Sequence, residues 1–260
     1  MRILFIGDIV GSPGRDIVHA RLAEIVREHS IDLVIANGEN AASGFGITPR
    51  LAEGIFASGV EVISGGNHSW DRREIFDYIP NEPRLLRPAN FPEGAPGRGI
   101  YLGKAKNGTP YAVLNLMGRV FMNPIDCPFR TADRELSRMP EQTKVIFVDM
   151  HAEATSEKQA MGWYLDGRVS AVVGTHTHVA TADERVLPNG TAFITDVGMT
   201  GPHESVIGMD RAAMTKRFLD GLPARFEVAA GDVQLNGVLV DVDESTGRSR
   251  GISRIRVPAS

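Results

Sequence analysis

The sequence predicts a layered α/β fold built largely on parallel strands, and three observations predict it. Short continuous apolar runs rich in valine and isoleucine recur along the chain, the look of strands buried on both faces. Strand, polar loop and helically spaced segment repeat three times from the N-terminus. The C-terminal segments alternate apolar and polar residues instead, which predicts antiparallel strands. At 260 residues and 42% hydrophobic, without internal repeats or low-complexity tracts, the chain reads as a single domain over residues 1–260.

In order, Arg2–Ile6 is the first strand, followed by Gly7-Asp8 and a glycine-rich turn through Gly14. Arg15–His29 has helical spacing, with Ile17, Val18, Leu22, Ile25 and Val26 on one face. Leu33–Ala36 is the second strand and runs into Asn37-Gly38-Glu39-Asn40. Thr48-Pro49 starts the next helix, because threonine caps well and proline is tolerated in the first turn; it ends near Gly59. Val60–Ser64 is the third strand and leads to Gly65-Gly66-Asn67-His68. The prolines and glycines of residues 80–108 predict loops and short strands.

Tyr111–Leu116 is a further strand, and the irregular stretch from Phe121 turns helical towards Arg138. Lys144–Asp149 is a buried strand ending at Met150-His151. Ser156–Leu165 is helical, and Val169–Val173 feeds Gly174-Thr175-His176-Thr177-His178. A hairpin is expected around Asn189-Gly190, and antiparallel strands over Phe226–Ala229, Val238–Val242 and Ile252–Val257.

Composition narrows the function. A net charge of −4 gives no footprint for strong non-specific nucleic-acid binding. One cysteine, Cys127, excludes an internal disulfide framework and thiolate clusters, so a metal here must use oxygen and imidazole ligands. The N-terminal apolar run is short and carries Asp8, so it reads as a strand and not a signal peptide. No run approaches the roughly 18 apolar residues of a membrane span, and a soluble cytoplasmic protein is expected. The sequence leaves room for a homo-oligomer.

The chemistry collects where strands end. Asp8, Glu39, Asn67, His151, His176 and His178 each follow an apolar run, and ligands of parallel sheets gather outside the carboxyl ends of the strands. Singly, each has a plain reading. Asp8 can cap a turn, Asn67 can fill a left-handed turn, and His151 can be a satisfied core histidine. Glutamate, by contrast, is not a favoured turn residue, which sets Glu39 apart. His176 and His178 flank one residue, so an extended segment would point both rings the same way. Together they predict a metal centre. The set exceeds the four ligands of one tetrahedral zinc, and two first-row ions sharing a carboxylate would use it all. Mixed imidazole and oxygen donors suit iron, manganese or zinc better than calcium.

The ordered set resembles the calcineurin-like metallophosphoesterase superfamily, with its D-x-H, G-D-x-x-D, G-N-H-[DE], lone H and G-H-x-H blocks. The wording GDIVG, ANGENAA, SGGNH, DMHAEATSEK, VVGTHTHV and TDVGMTG, spread from residue 7 to residue 201, is similar to the bacterial YmdB-like phosphodiesterases. Val10 stands where the superfamily has its first histidine ligand, and Glu39 replaces the bridging aspartate, two changes the YmdB-like branch shares.

The resemblance implies a metallophosphoesterase-like β-sandwich flanked by helices, with its metal site at strand C-terminal ends. It implies one ion on Asp8, Glu39, Asn40 and His178, and a second on Glu39, Asn67, His151 and His176. His68 matches the general acid. Ser69 stands where many relatives orient that histidine with an acidic residue, and Asp71 is the candidate to do so here.

The implied reaction is hydrolysis of a small-molecule phosphate ester by a metal-bridging hydroxide. Cyclic nucleotides, 2′,3′-cyclic ones first and 3′,5′-cyclic ones after, are the expected substrates. A broad phosphomonoesterase, and a metal-containing regulatory protein that docks RNA or a protein partner, are the alternatives. No aromatic pair marks a base pocket in the sequence. Trp70 is expected to pack beneath the site, His203 to sit in a surface turn, and Lys104, Lys106, Arg119 and Arg130 to be solvated charge.

Overall fold

The structure, a computed structural model, describes residues 1–259. The first half of the chain forms β1 (Arg2–Ile6), β2 (Asp8–Ile9), α1 (Gly11–Glu28), β3 (Leu33–Asn37), α2 (Pro49–Ala57), β4 (Val62–Ser64), α3 (Ile75–Tyr78), β5 (Ile100–Lys104), β6 (Pro110–Met117) and α4 (Pro128–Ser137). The second half adds β7 (Val145–His151), α5 (Thr155–Tyr164), β8 (Ala171–Thr175), β9 (Arg185–Val186), β10 (Ala192–Ile194), β11 (Met199–Pro202), α6 (Arg211–Asp220), β12 (Val233–Val242) and β13 (Ser249–Pro258).

Two sheets pack face to face. One runs β2-β11-β12-β1-β3-β4, with β13 also on β12; the other runs β5-β6-β7-β8-β10-β9. Strands β1, β3 and β4 are mutually parallel, as are β6, β7, β8 and β10. Their carboxyl ends therefore lie at one edge of each sheet. The inner faces share a core in which Ile3, Phe5, Leu33, Ile35 and Val62 meet Val113, Phe147, Ala171 and Val173. The rings of Phe5 and Phe147 stack at 5.3 Å across it.

Helices cover the outer faces. Ile17, Val18, Leu22 and Ile25 of α1, with Ala52 and Ile55 of α2, pack on Leu4, Ile6, Val34 and Ile63. Ala132 of α4 and Met161 of α5 pack on Leu114, Val148 and Val172. Burial on both faces is why these strands read as unbroken apolar runs. This is the layered β-sandwich with flanking helices that the resemblance implied.

Local differences have local causes. Helix α1 begins at Gly11, not Arg15: proline in a first turn loses no hydrogen bond, so Pro13 extends the helix into the expected turn. Thr48 caps α2 by accepting from the Leu51 N–H. The β9–β10 hairpin closes around Asn189-Gly190. Phe226–Ala229 is not a strand: among the described residues one antiparallel bridge, Met209 to Val228, is all the pairing it makes. Lys104, Lys106, Arg119 and Arg130 are exposed. Trp70 packs edge-on to Phe91 with ring centroids 4.6 Å apart, as expected of a packing residue. Among the described residues no helix is long and apolar enough to cross a membrane.

Candidate metal centre

The strand ends of both sheets meet at one place. Asp8 follows β1 through Gly7, Glu39 and Asn40 follow β3, and Asn67 and His68 follow β4. From the second sheet come His151, the last residue of β7, and His176 and His178, just past β8. Asp8, Glu39, Asn40 and His151 are buried although all are polar.

The donors form two clusters around Glu39. In the first, His151 Nε2 lies 2.9 Å from Glu39 Oε1, 2.9 Å from Asn67 Oδ1 and 3.1 Å from His176 Nδ1. Glu39, His151 and His176 each bring a ligand atom within 4.8 Å of the others. In the second, Asn40 Nδ2 lies 3.1 Å from His178 Nε2 and 3.4 Å from both Asp8 Oδ1 and Glu39 Oε1. His178 Nε2 is 3.8 Å from Asp8 Oδ1. A half-turn of the Asn40 amide exchanges its nitrogen for its oxygen, so this cluster too can present only acceptors inward.

The fit to cations is tested by what surrounds the donors. A Cβ on Gly66 would collide with the His151 ring and the Glu39 carboxylate, so glycine there lets the first cluster close up. The other nitrogen of each histidine is already engaged, which frees the inward one. His151 Nδ1 meets Thr175 Oγ1 at 2.8 Å, and that hydroxyl donates to Asp149 Oδ1 at 2.7 Å. His176 Nε2 faces Glu153 Oε2 at 3.1 Å, and His178 Nδ1 faces the Ile207 carbonyl at 2.8 Å. Such outer partners orient imidazole ligands and fix their tautomer. The donor set, oxygen and imidazole only, fits divalent cations.

The two histidines of the H-x-H segment do not point the same way. His176 and His178 have φ of 98° and 65°, so the chain leaves the extended form and the rings go to different clusters. Asp196 holds this bend: it accepts from Lys158 Nζ at 2.6 Å, from Thr177 Oγ1 at 2.8 Å and from the Thr177 N–H at 3.2 Å. Lys158 and Asp196 are a buried pair.

Electrostatics tie the clusters together. Burial works to raise the Glu39 carboxyl, but the charge and hydrogen bond of His151, with help from His68, outweigh it and hold the pKa at about 2. Burial disfavours the charged His151 ring, yet Glu39, Asp8 and Asp149 push it up to about 9. Burial and the neighbouring His151 charge push His176 down to about 3. Burial lifts Asp149 to about 6 against its hydrogen bonds from Ser64 and Thr175.

Without a cation, then, His151 carries a proton at neutral pH in the place a cation would take. Uptake in that cluster should expel it, so affinity should rise about tenfold per pH unit from pH 7 towards 9 and then level off. Calorimetric titration in buffers of differing ionisation enthalpy reads the released proton. An affinity independent of pH would contradict this.

His68 belongs to neither cluster. Its backbone N–H donates to Glu39 Oε2 at 2.9 Å, and its Nδ1 meets Asp71 Oδ2 at 2.7 Å. Among the described residues its Nε2 has no hydrogen-bond partner, and Phe45 packs edge-on to the ring at 5.1 Å. Asp71 thus stands where the orienting acid was expected. His203 is half-buried, not a plain surface residue, and bonds Asn236.

Sequence reasoning missed Asp149, Thr175, Glu153 and the Ile207 carbonyl. Asp149 read as the end of an ordinary strand and Thr175 as part of the segment carrying the histidines, and a carbonyl leaves no mark in a sequence; only Glu153, two after His151, offered a signal. Removing the outer partner tests its weight. Thr175→Val, which keeps the side chain's shape, should weaken metal binding roughly 10–100-fold without unfolding the protein. Competition against a chromogenic chelator measures it, and unchanged affinity would contradict the assigned part.

Matches to known proteins span nearly the whole chain. The family described as YmdB-like protein matches residues 4–255. The 2′,3′-cyclic-nucleotide 2′-phosphodiesterase of Bacillus subtilis (strain 168) is 54% identical over 257 residues, covering 99% of this chain and 97% of its own. The crystal structure of a hypothetical protein from Thermus thermophilus superposes with a TM-score of 0.93 at 43% identity, covering 99% of both chains. The calcineurin-like phosphoesterase YfkN from Bacillus subtilis shares the fold alone, with a TM-score of 0.56 at 10% identity over 100% of this chain and 90% of that one.

Proposed function

This chain belongs to the YmdB-like protein family, and from that premise we propose that it is a metal-dependent phosphodiesterase that opens 2′,3′-cyclic nucleotides. One observation carries the reading: buried donors from both sheets converge on Glu39, and His68 stands beside them with one ring nitrogen free. The relative from Bacillus subtilis named as a 2′,3′-cyclic-nucleotide 2′-phosphodiesterase supports the substrate class.

In this reading Asp8, Glu39, Asn40 and His178 would hold one ion, and Glu39, Asn67, His151 and His176 the other. Iron, manganese or zinc suits these donors. When bound, the pair would neutralise phosphoryl charge and acidify water. The residues of the chain do the rest. Glu39, shared by both sets, keeps them at a fixed spacing, and its bond from the His68 N–H ties the acid to the same frame. Asp71 holds His68 Nδ1, so Nε2 faces the cleft. Water adds to phosphorus and loses one proton, the P–O2′ bond breaks, and His68 gives its proton to O2′ and is reprotonated from solvent, so that one water is consumed overall. The product is a 3′-nucleotide, its leaving oxygen still tethered through the ribose.

The test is turnover of 2′,3′-cyclic AMP by protein loaded separately with manganese, iron and zinc, with the product resolved as the 2′- or 3′-isomer. Metal-dependent release of the 3′-isomer is expected. Faster hydrolysis of phosphomonoesters than of the cyclic diester by the same preparation would overturn the reading in favour of a phosphatase.

A further inference from the structure

The cleft over the candidate centre has two unlike halves. Its floor is polar, made of Glu39, Asn40 and the histidines, and its wall is Phe45, Ile207, Met209 and Phe226. Its volume of about 390 Å³ lies within the roughly 300–1,000 Å³ of small-molecule sites. Resting on the phosphodiesterase reading, we propose that this wall is the subsite for the nucleobase, with Phe226 as its stacking face.

The rings form a row leading outward from the acid. Phe45 lies edge-on to His68 at 5.1 Å and edge-on to Phe226 at 5.5 Å. Phe226 is 43% exposed and Ile207 52% exposed, so large apolar surface faces water beside a charged floor. A flat apolar group held near the scissile phosphate would cover it. The Arg217 guanidinium lies 4.9 Å from the Phe226 ring centroid and steadies that ring.

The wall is built into the same segment that orients the centre. Ile207 offers its carbonyl to His178 Nδ1. Asp210 N–H donates to the Glu227 carbonyl at 2.8 Å and Ala229 N–H to the Gly208 carbonyl at 2.9 Å, which pairs Val228 with Met209 and anchors the segment that carries Phe226. On the opposite side, Arg72 Nε donates to the Phe45 carbonyl at 2.8 Å.

None of the four wall side chains carries a strong donor or acceptor. The wall therefore recognises that a base is present more than which base it is, because every base offers a π-face. Rates on the four 2′,3′-cyclic nucleotides should accordingly be of one order.

The experiment compares metal-loaded wild type with Phe226→Ala and Phe226→Tyr on 2′,3′-cyclic AMP and on base-free 1,2-cyclic glycerol phosphate. Affinity for 3′-AMP is titrated alongside. Phe226→Ala should lower kcat/KM on the nucleotide about 5- to 100-fold, chiefly through KM, and weaken 3′-AMP by a similar factor. The loss on the base-free ester should be at least fivefold smaller, and Phe226→Tyr should restore most of the selectivity. With Phe226 half in water, its truncation leaves the core intact. Equal losses on both esters, or a changed oligomeric state with selectivity and 3′-AMP affinity retained, would overturn the subsite. If wild type cleaves neither cyclic ester, the phosphodiesterase reading fails, and the 3′-AMP titration still decides the wall.

Discussion

Replacing Glu39 by glutamine is expected to abolish metal-dependent turnover while leaving the metal-free fold standing. Glu39 places its Oε1 against a donor of each cluster, His151 in one and Asn40 in the other, and it is buried. Glutamine keeps the volume and one acceptor for the His68 N–H but removes the negative charge common to both cation sets. Loss of outer-shell partners typically costs 10–100-fold in metal affinity, so loss of a shared ligand charge should exceed about 100-fold. Two readouts separate this from misfolding. Circular dichroism of the metal-free variant should match wild type, while the rise in Tm that metal produces in wild type should vanish. A variant that still gains stability from metal and still turns over would show that Glu39 is not shared.

The second large effect is chemical selectivity in His68→Ala. A general acid is worth about 10²–10⁴-fold, and most when the leaving group is poor. Ribose O2′ is a poor leaving group and nitrophenolate a good one. The variant should therefore lose about 10²–10⁴-fold on 2′,3′-cyclic AMP and far less on bis-nitrophenyl phosphate, with metal content unchanged. Because His68 Nδ1 is held by Asp71, Asp71→Asn should show the same selectivity in weaker form. Equal losses on both substrates at full metal occupancy would contradict the acid role.

Much of this was legible in the sequence because burial on both faces of a strand leaves an unbroken apolar run. Asp8, Glu39, Asn67, His151, His176 and His178 stood out as the polar residues ending such runs. The resemblance added Asn40 and His68, and the structure brings all eight to one place. What stayed hidden is of two kinds. Backbone conformation is one: the positive φ of His176 and His178 arises from the Asp196 and Lys158 clamp, which no local pattern around the histidines announces. Helix α6 is similar, for Asp210 and Gly221 cap it at its two ends, yet it buries only Met214 and so lacks an apolar stripe.

Long-range pairing is the other kind. Phe45 and Phe226 lie far apart in the chain and meet only because the segment after α6 folds back over Met209. Asp149 looked like an ordinary polar end to a strand until Ser64, Asn37 and Thr175 closed around its carboxylate.

The proposed function requires two cations held together at Glu39. Anomalous diffraction from crystals of the manganese-loaded protein tests it most directly. Two peaks about 3.5–4 Å apart, one against His151 and His176 and the other against Asp8 and His178, are the predicted result. A single peak at full occupancy, or peaks away from Glu39, would contradict it.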